Sequence, residues 1–473
     1  MGLIATWTGN AVNLNNYALR TCSRTVRTPI RAHYGIVHAG GPAPASNAAI
    51  AGAVSAAYER NVGVVGFIDG FKGIMEGRAI ELEPCLTSEI GSLGGVAIGT
   101  SRFNPNEAQR AELINNFKRW GISGLIAIGG DDTNTTASRL SQMGFPVIGI
   151  PKTIDNDIPG TVETHGFQTV VQKTAEALKA LKRDAQCQDN PCIFLAEIMG
   201  RKSGAWTFET GRAAEVTASY IPEEFSIKGL VQILDSDFSG KDFILARTAR
   251  MLRVNGEILD TVSFIRAIEH SGNSPVDLRL DATLLAKEIV NVIAKRNKYN
   301  IPYGVFAIAE GIADRLPTEV VSRDSEGRPE SFRVLGLGKE VEIKVDAHHN
   351  PRLSDVKISD HLIRLVNSEA KNAGIKIKAV SQTFGYQYRC VDPTAYDKNL
   401  GLAEGFAAME ALDSGRSGLM VSSKGNANLT YVDYKDLPYD ETGHLVPRTY
   451  NLSGLAYEQG ISSQSRKSYE SAS

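Results

Sequence analysis

GLIAIGGDDTNTTASRLSQMG, residues 124–144, decides how the chain is read. An apolar run, GLIAIGG (124–130), ends on two glycines, and TNTTASRLSQMG behind them reads as a helix. Apolar strand, glycine turn and helix make the repeating unit of a parallel α/β sheet. Such a turn welcomes anions, because its backbone N–H groups point outward and the helix dipole favours negative charge. Here Asp131 and Asp132 put two carboxylates directly in that place. The rest of the chain has to supply the reason.

The same grammar recurs along the length. HYGIVH (33–38) is a short β run, and NAAIAGAVSAAYER (47–60) has apolar positions at helical spacing, with Ser46 or Asn47 as its expected cap. VGVVGFID (62–69) and PVIGI (146–150) are further strands, the latter ending at PKTIDND. Beyond them come a helix over 168–183, a strand CIFLAE (192–197) turning at MGRKSG, a helix over 279–296 and a strand YGVFAIAE (303–310). Short, wholly apolar strands alternating with amphipathic helices predict parallel sheets covered on both faces. The 473 residues suffice for two such units. The predicted fold is therefore α/β, with two doubly wound three-layer domains and mostly parallel sheets. We expect a basic arm over 1–30, one domain from 31–165 plus about 391–435, a second over 166–390, and a C-terminal extension with a polar tail over 436–473. Segment 314–356, richer in Pro, Arg and charge, reads as an insertion or long connection.

Composition narrows the function classes. A hydrophobic fraction of 42% and a charged fraction of 22% describe a globular chain, and a net charge of −2 favours neither nucleic acid nor a membrane surface. No apolar run approaches the roughly 18–20 residues of a membrane span. The five cysteines form no CxxC pair, so we expect reduced, mostly buried thiols, a cytoplasmic setting and no zinc site. Arg20, Arg24, Arg27 and Arg31 all precede the first acidic residue, Glu59, which reads as a basic arm or as a targeting segment. MGLIAT also fits the loose myristoylation pattern.

Ligands of doubly wound sheets bind beyond the carboxyl ends of the strands. GGPAPAS, GTSRF, GGDDTN, PKTIDND, MGRKSG and EGIAD all fall there. In GGDD, glycines can admit phosphate oxygens and Asp131 can hold Mg2+, which bridges phosphates. Alone, the motif reads more readily as a glycine turn with an Asp helix cap. In PKTIDND, Lys152 brings a cation, and in an extended segment Asp155 and Asp157 would face one side. One could take a proton from a hydroxyl while the other assists; the alternative is an Asx-rich turn before Pro159. Arg102, Arg201 and Arg389 fall in predicted loops or strand ends, and guanidinium forks suit phosphate. A metal carboxylate, a base and several Arg together describe a phosphoryl-transfer site, which works by positioning and charge neutralisation.

At this point the chain resembles a known family. GGPAPASNAAI, GTSRF, GGDD, PKTIDND, MGRKSG, AEGIA and GYQYRCVDPTAYD, in that order, are similar to the 6-phosphofructokinase family. GGDD together with PKTIDND resembles its pyrophosphate-dependent branch, since ATP-using members typically read GGDGS and PGTIDND. The resemblance implies a phosphofructokinase-like fold, Mg2+ as cofactor, and pyrophosphate and fructose 6-phosphate as ligands. It implies that Gly40 and Arg102 bind the donor, that Asp131 holds the metal, and that Asp155 is the general base supported by Asp157. It assigns Thr153, Ile154, Met199, Gly200, Arg201, Glu310, Tyr386 and Arg389 to the sugar phosphate. Lys152 and Asp132 complete the donor end. Glycine at position 132 would leave room for a nucleotide's α-phosphate, whereas Asp132 fills that space with a carboxylate, so the turn welcomes a shorter anion. The implied assembly is a homodimer or homotetramer.

The chain also departs from the pattern. GGPAPAS replaces the common GGDAPGMN, so a donor-loop Asp and Gly are missing. The Arg that ATP-type enzymes carry ahead of MGR falls near Cys192, Val380 stands where another Arg is frequent, and MGRKSGAW replaces MGRxAG. Competing readings are an ATP-dependent 6-phosphofructokinase and a non-catalytic regulatory paralogue that binds sugar phosphate. Asp155, Asp131, Lys152 and Arg201 argue against the latter, because a regulatory copy tends to lose its base.

Overall fold

The computed structural model describes residues 30, 32–272, 275–345 and 351–464. The Arg-rich arm, with its targeting and myristoylation patterns, and the tail beyond 464 lie outside them. The chain forms two compact units, one of Met1–Val170 with Tyr386–Arg448 and one of Val171–Gly385 with Thr449–Ser473.

The first unit is built on a seven-stranded sheet. Its strands, in spatial order, are Leu429–Asp433, Leu419–Ser423, Val147–Pro151, Ile122–Gly129, His33–His38, Gly63–Phe67 and Ala79–Leu82. The five central strands run parallel, and the two edge strands are antiparallel to their neighbours. Alternate residues of each strand feed different cores. Ile36, Ile126, Ile128, Ile148 and Ile150 pack with the helices Ser46–Glu59 and Ala395–Asp413. Val37, Leu125, Ala127 and Val147 pack with the helices Gly70–Glu76, Glu107–Arg119 and Asp131–Gln142. This is the three-layer arrangement that period-two strands with two apolar faces require.

Helices Ser46–Glu59 and Ala395–Asp413 meet backbone to backbone. A Cβ on Gly52 would overlap the Leu402 carbonyl, and one on Gly405 the Ala49 carbonyl. Neither Ser46 nor Asn47 caps the first of these helices. Ala45 holds the N-cap position in the left-handed region, at φ 68°, without a side-chain cap bond. Ser46 Oγ donates to Ala43 O instead, and Asn47 bridges to the 93–97 segment, where it accepts from Ala97 N at 2.7 Å.

The second unit is built on a four-stranded, all-parallel sheet in the order Lys378–Phe384, Cys192–Ile198, Gly304–Ala309 and Ala218–Tyr220. Helices Ala282–Asn297 and Ile358–Asn372 contribute to its core. Segment 314–356 holds a three-stranded antiparallel sheet, Thr318–Arg323, Pro329–Val334 and Val341–Lys344. The C-terminal extension is not a separate piece. Leu437 and Leu445 join a core of the first unit, while Leu452, Tyr457 and Ile461 join that of the second. Apolar anchors in both stretches are the physical reason. Among the cysteines whose side chains are described, Cys192 is buried as expected, while Cys187 and Cys390 are free and exposed, contrary to the expectation at those two positions. No helix among the described residues is long and apolar enough to cross a membrane.

Candidate functional site

In the first unit, the turns that follow the central strands carry the candidate residues. Helix Asp131–Gln142 begins with Asp131 and Asp132 in its first turn, straight after Gly130. Asn134 sets this turn by donating from Nδ2 to Gly129 O and Gly130 O, both at 2.9 Å. Tyr434 OH donates in turn to Asn134 Oδ1 at 3.0 Å. Side-chain volume is excluded at Gly129, where a Cβ would overlap Thr133. The GGDDTN run is thus a preset turn, and both carboxylates sit where helix amides gather anionic ligands. His444 Nδ1 lies 3.8 Å from Asp132 Oδ1.

Lys152 follows the strand Val147–Pro151, and its N–H donates to Gly129 O at 2.9 Å. Its ammonium is buried and donates to Gly41 O. Gly40 adjoins it: its N–H donates to Ser101 O at 2.9 Å, and Thr100 Oγ1 donates to its carbonyl at 2.7 Å. Arg102, next in the chain to Ser101, is exposed. Arg389 lies against the same loop, since a Cβ on Gly41 would stand 3.4 Å from its Nη1. The Arg389 guanidinium also stacks 4.6 Å from the ring centroid of Tyr386, which is 64% exposed. The resemblance assigns Arg389 to sugar phosphate, while its neighbours here are those of the donor loop. Burial first, and then the Arg389 charge, draw the Lys152 pKa down to about 8, against the pull of Asp155, Asp131 and Asp157. An ammonium so poorly hydrated gains more from a phosphate anion than a solvated one does.

Thr153–Asp157 is a bend, not the extended segment that would aim Asp155 and Asp157 to one side. Asn156 sits in the left-handed region at φ 50°, which Asn tolerates better than most residues. Thr153 Oγ1 accepts from Asp155 N at 3.1 Å, and Ile154 is buried beneath. Asp155 and Asp157 are half-buried, and both act electrostatically on Lys152.

The other candidates belong to the second unit. Strand Cys192–Ile198 ends at Met199, whose N–H donates to Phe384 O at 2.9 Å. Arg201 is left-handed at φ 47° and exposed. Glu310 is buried, and its Oε1 accepts from Gly200 N at 3.2 Å and Arg201 N at 2.8 Å. One oxygen of this carboxylate therefore shapes the MGR turn. Glu223 accepts from Gly204 N at 3.0 Å through Oε1, and the same oxygen accepts from Tyr450 N at 2.9 Å.

Sequence reasoning missed the groups packed behind Lys152. His165 pairs with Lys152 across an isolated β-bridge, and its Nδ1 lies 2.6 Å from Glu404 Oε2, with both side chains fully buried. Burial pushes the His165 pKa down to about 3 and that of Glu404 well up. Burial thus disfavours the charged form of both partners, despite their ion-pair distance. His38, bonded to Thr100 Oγ1 and Ser46 Oγ, is likewise held neutral, by burial first and then by the Lys152 charge. Lys152 is thus backed by uncharged imidazoles. A lone His in ETHGFQT and a lone Glu in a helix carry no local signal of such a pairing.

Among the described residues no group of three or more His, Cys, Asp or Glu is placed to hold a metal by itself. Mg2+ does not require one, because it is typically held by one or two carboxylates together with phosphates and water. Asp131, in the first turn of its helix, fits that mode.

Comparisons with known proteins bear on the family and the fold. A phosphofructokinase family profile matches residues 33–412. Pyrophosphate-dependent phosphofructokinase from Marinobacter aquaeolei is similar at a TM-score of 0.56 and 17% identity, over 91% of each chain. The enzyme of the same description from Nitrosospira multiformis matches at 0.56 and 16%, over 92% of each chain. Phosphofructokinase from Saccharomyces cerevisiae matches at 0.55 and 17%, over 85% of this chain and 44% of that one. With the profile spanning most of its length and these structures sharing its fold, the chain belongs to the phosphofructokinase family.

Proposed function

We propose that this protein catalyses reversible, Mg2+-dependent phosphoryl transfer from pyrophosphate to the 1-hydroxyl of fructose 6-phosphate, giving fructose 1,6-bisphosphate. The observation that carries the reading is the pair Asp132 and Lys152. A carboxylate stands in the first turn of the donor helix, and a buried ammonium stands at the facing glycine loop. Two charges about 4 Å apart interact by roughly 4 kcal/mol at an effective dielectric near 20. Asp132 would therefore oppose an α-phosphate strongly, while Lys152 favours the short, highly charged pyrophosphate. The family supports phosphoryl transfer to a sugar phosphate, and the descriptions of the Marinobacter and Nitrosospira structures favour pyrophosphate as donor.

In this reading Gly40, Arg102, Asp132 and Lys152 hold the donor, and Lys152 neutralises charge on the transferring group. Mg2+ bound at Asp131 would supply charge neutralisation across the phosphates. Asp155 takes the proton of the sugar 1-hydroxyl, with Asp157 beside it. Thr153, Ile154, Met199, Gly200, Arg201, Glu310, Tyr386 and Arg389 serve the sugar phosphate. A cytoplasmic setting and a homodimeric or homotetrameric state belong to the same reading. The phosphoanhydride releases about as much free energy as the sugar ester stores, so the reaction runs both ways. The test is a donor panel of pyrophosphate, ATP, ADP and polyphosphate with fructose 6-phosphate and Mg2+. Turnover with pyrophosphate, and formation of pyrophosphate from fructose 1,6-bisphosphate and phosphate, is the expected result. Turnover with ATP alone would put the ATP-dependent reading in its place, and binding of sugar phosphate without turnover would favour the regulatory one.

A further inference from the structure

Segment 439–448, YDETGHLVPR, touches two of the candidate turns of the first unit at once. At one end it lies along the helix that begins with Asp131. Tyr439 OH donates to Ser138 Oγ at 2.9 Å, Arg139 Nη2 donates to Thr442 O at 3.0 Å, and Leu445 N donates to Thr135 Oγ1 at 3.0 Å. At the other end Arg448 closes on the Thr153–Asp157 bend. Its backbone N–H donates to Asp157 O at 2.7 Å, its Nε to Asn156 O at 2.8 Å and its Nη2 to Val162 O at 2.7 Å.

The left-handed Asn156 explains the need for such a partner. That conformation turns the neighbouring carbonyls away from any strand or helix ladder, so their donors come from elsewhere in the chain. A planar guanidinium with fixed N–H directions meets two carbonyls together, Asn156 O in the bend and Val162 O beyond it, which suits it better than an ammonium. Burial opposes the Arg448 charge, while Asp157 and Glu163 favour it.

We infer that Arg448 is a positioning residue for the candidate base. It fixes the carbonyl side of the bend, and the segment from Tyr439 to Arg448 ties that bend to the donor helix. The spacing between Asp155 and the donor anchors is thus set by a stretch of chain that contributes no reacting group. This rests on the phosphotransfer reading, and the experiment separates the two.

Arg448→Ala and the milder Arg448→Lys are compared with wild type in steady-state kinetics, with and without added guanidinium, and by amide hydrogen exchange over residues 153–162. The expected result is a kcat lowered about 10- to 100-fold in Arg448→Ala, the scale of a misplacement near 1 Å. Both KM values should stay within about threefold, because uniform binding is untouched. Guanidinium should restore part of the loss, lysine little of it, and exchange over the bend should quicken. If the alanine variant does not accumulate, the lysine variant reads the same way. Wild-type kcat in Arg448→Ala would overturn the inference. So would a loss that guanidinium does not relieve while the bend exchanges as in wild type. If wild type itself transfers phosphoryl from no donor, the phosphotransfer reading fails, and exchange over the bend still decides whether Arg448 holds it.

Discussion

The turns at Thr153–Asp157 and Met199–Gly204 are held by opposite charges. Each carries a non-glycine residue at positive φ, Asn156 at 50° and Arg201 at 47°. In the first turn carbonyls need donors, and Arg448 supplies them, its guanidinium to Asn156 O and its backbone N–H to Asp157 O. In the second turn amides need acceptors, and the Glu310 and Glu223 carboxylates collect Gly200, Arg201 and Gly204. Each clamp has the opposite sign to the side chains its turn presents. A cation backs Asp155 and Asp157, and carboxylates back Arg201. The motif specifies the bend and the reacting group, while the polarity of the backbone left over specifies the charge of whatever must clamp it.

The largest expected effect removes the presented group and leaves the clamp. Asp155→Asn should lower kcat by on the order of 10²–10⁴, the range for losing acid–base help, with little change in KM for fructose 6-phosphate. Near-wild-type turnover would strip Asp155 of the base role and leave the bend a merely structural feature.

Lys152, at the head of the same turn, ties charge to pH in two opposing ways. Its pKa is about 8 in the folded protein against an ordinary 10.5. Between those values the unfolded chain holds the extra proton, so stability rises with pH across the window and its burial cost is gone above it. Relative to Lys152→Met, wild type should gain roughly 3 kcal/mol from below pH 8 to above 10.5, at about 1.4 kcal/mol per unit. Over the same window KM for pyrophosphate should rise as the ammonium is lost. Denaturant titration and donor kinetics at matched pH check both, and a KM that stays flat or falls while stability rises would refute the assignment.

Breaking the anionic clamp tests the other turn. Glu310→Ala leaves the Gly200 and Arg201 amides without their shared acceptor, which should cost about 1–3 kcal/mol in unfolding free energy. It should raise KM for fructose 6-phosphate more than KM for pyrophosphate. Glu310→Gln keeps an acceptor oxygen and should lose less. Equal losses in the two variants, read by urea unfolding, would show that the charge and not the hydrogen bonds holds the turn.

Ala45 marks a third turn, left-handed at φ 68° and with no side-chain cap bond. Left-handed backbone costs a non-glycine residue roughly 1–2 kcal/mol, partly offset by the greater freedom glycine gives the unfolded chain. Ala45→Gly should therefore stabilise by about 1 kcal/mol or less in thermal unfolding. Destabilisation there would mean that the methyl group packs better than its backbone suffers.

Much of the fold was legible because periodicity is local. Apolar runs such as GLIAIGG are strands because both of their faces are covered, and glycines mark where each one turns. Asp131 and Asp132 were legible for the same reason, since they directly follow the strand. Partners across long separations were not. Arg448 meets Asn156 from 292 residues away, and His165 meets Glu404 from 239. Nothing near either residue shows the partner that only the tertiary fold provides. Extended geometry at Asp155–Asp157 failed through the left-handed Asn156, and the expected cap at Ser46 failed because Ala45 ends the loop one residue earlier. The close approach of helices Ser46–Glu59 and Ala395–Asp413 did leave a trace, in the small residues around Gly52 and Gly405.

The central claim is that Asp132 selects pyrophosphate. It is tested most directly by kcat/KM for pyrophosphate and for ATP, with fructose 6-phosphate and Mg2+, in wild type and in Asp132→Gly. A net penalty of about 3 kcal/mol corresponds to a preference of roughly 100-fold or more for pyrophosphate in wild type. Asp132→Gly should narrow that preference by improving ATP binding while ATP turnover stays poor, because the GGPAPAS loop lacks the Asp and Gly common at an ATP site. Equal use of ATP and pyrophosphate by wild type, or an unchanged ATP affinity in Asp132→Gly, would contradict the account.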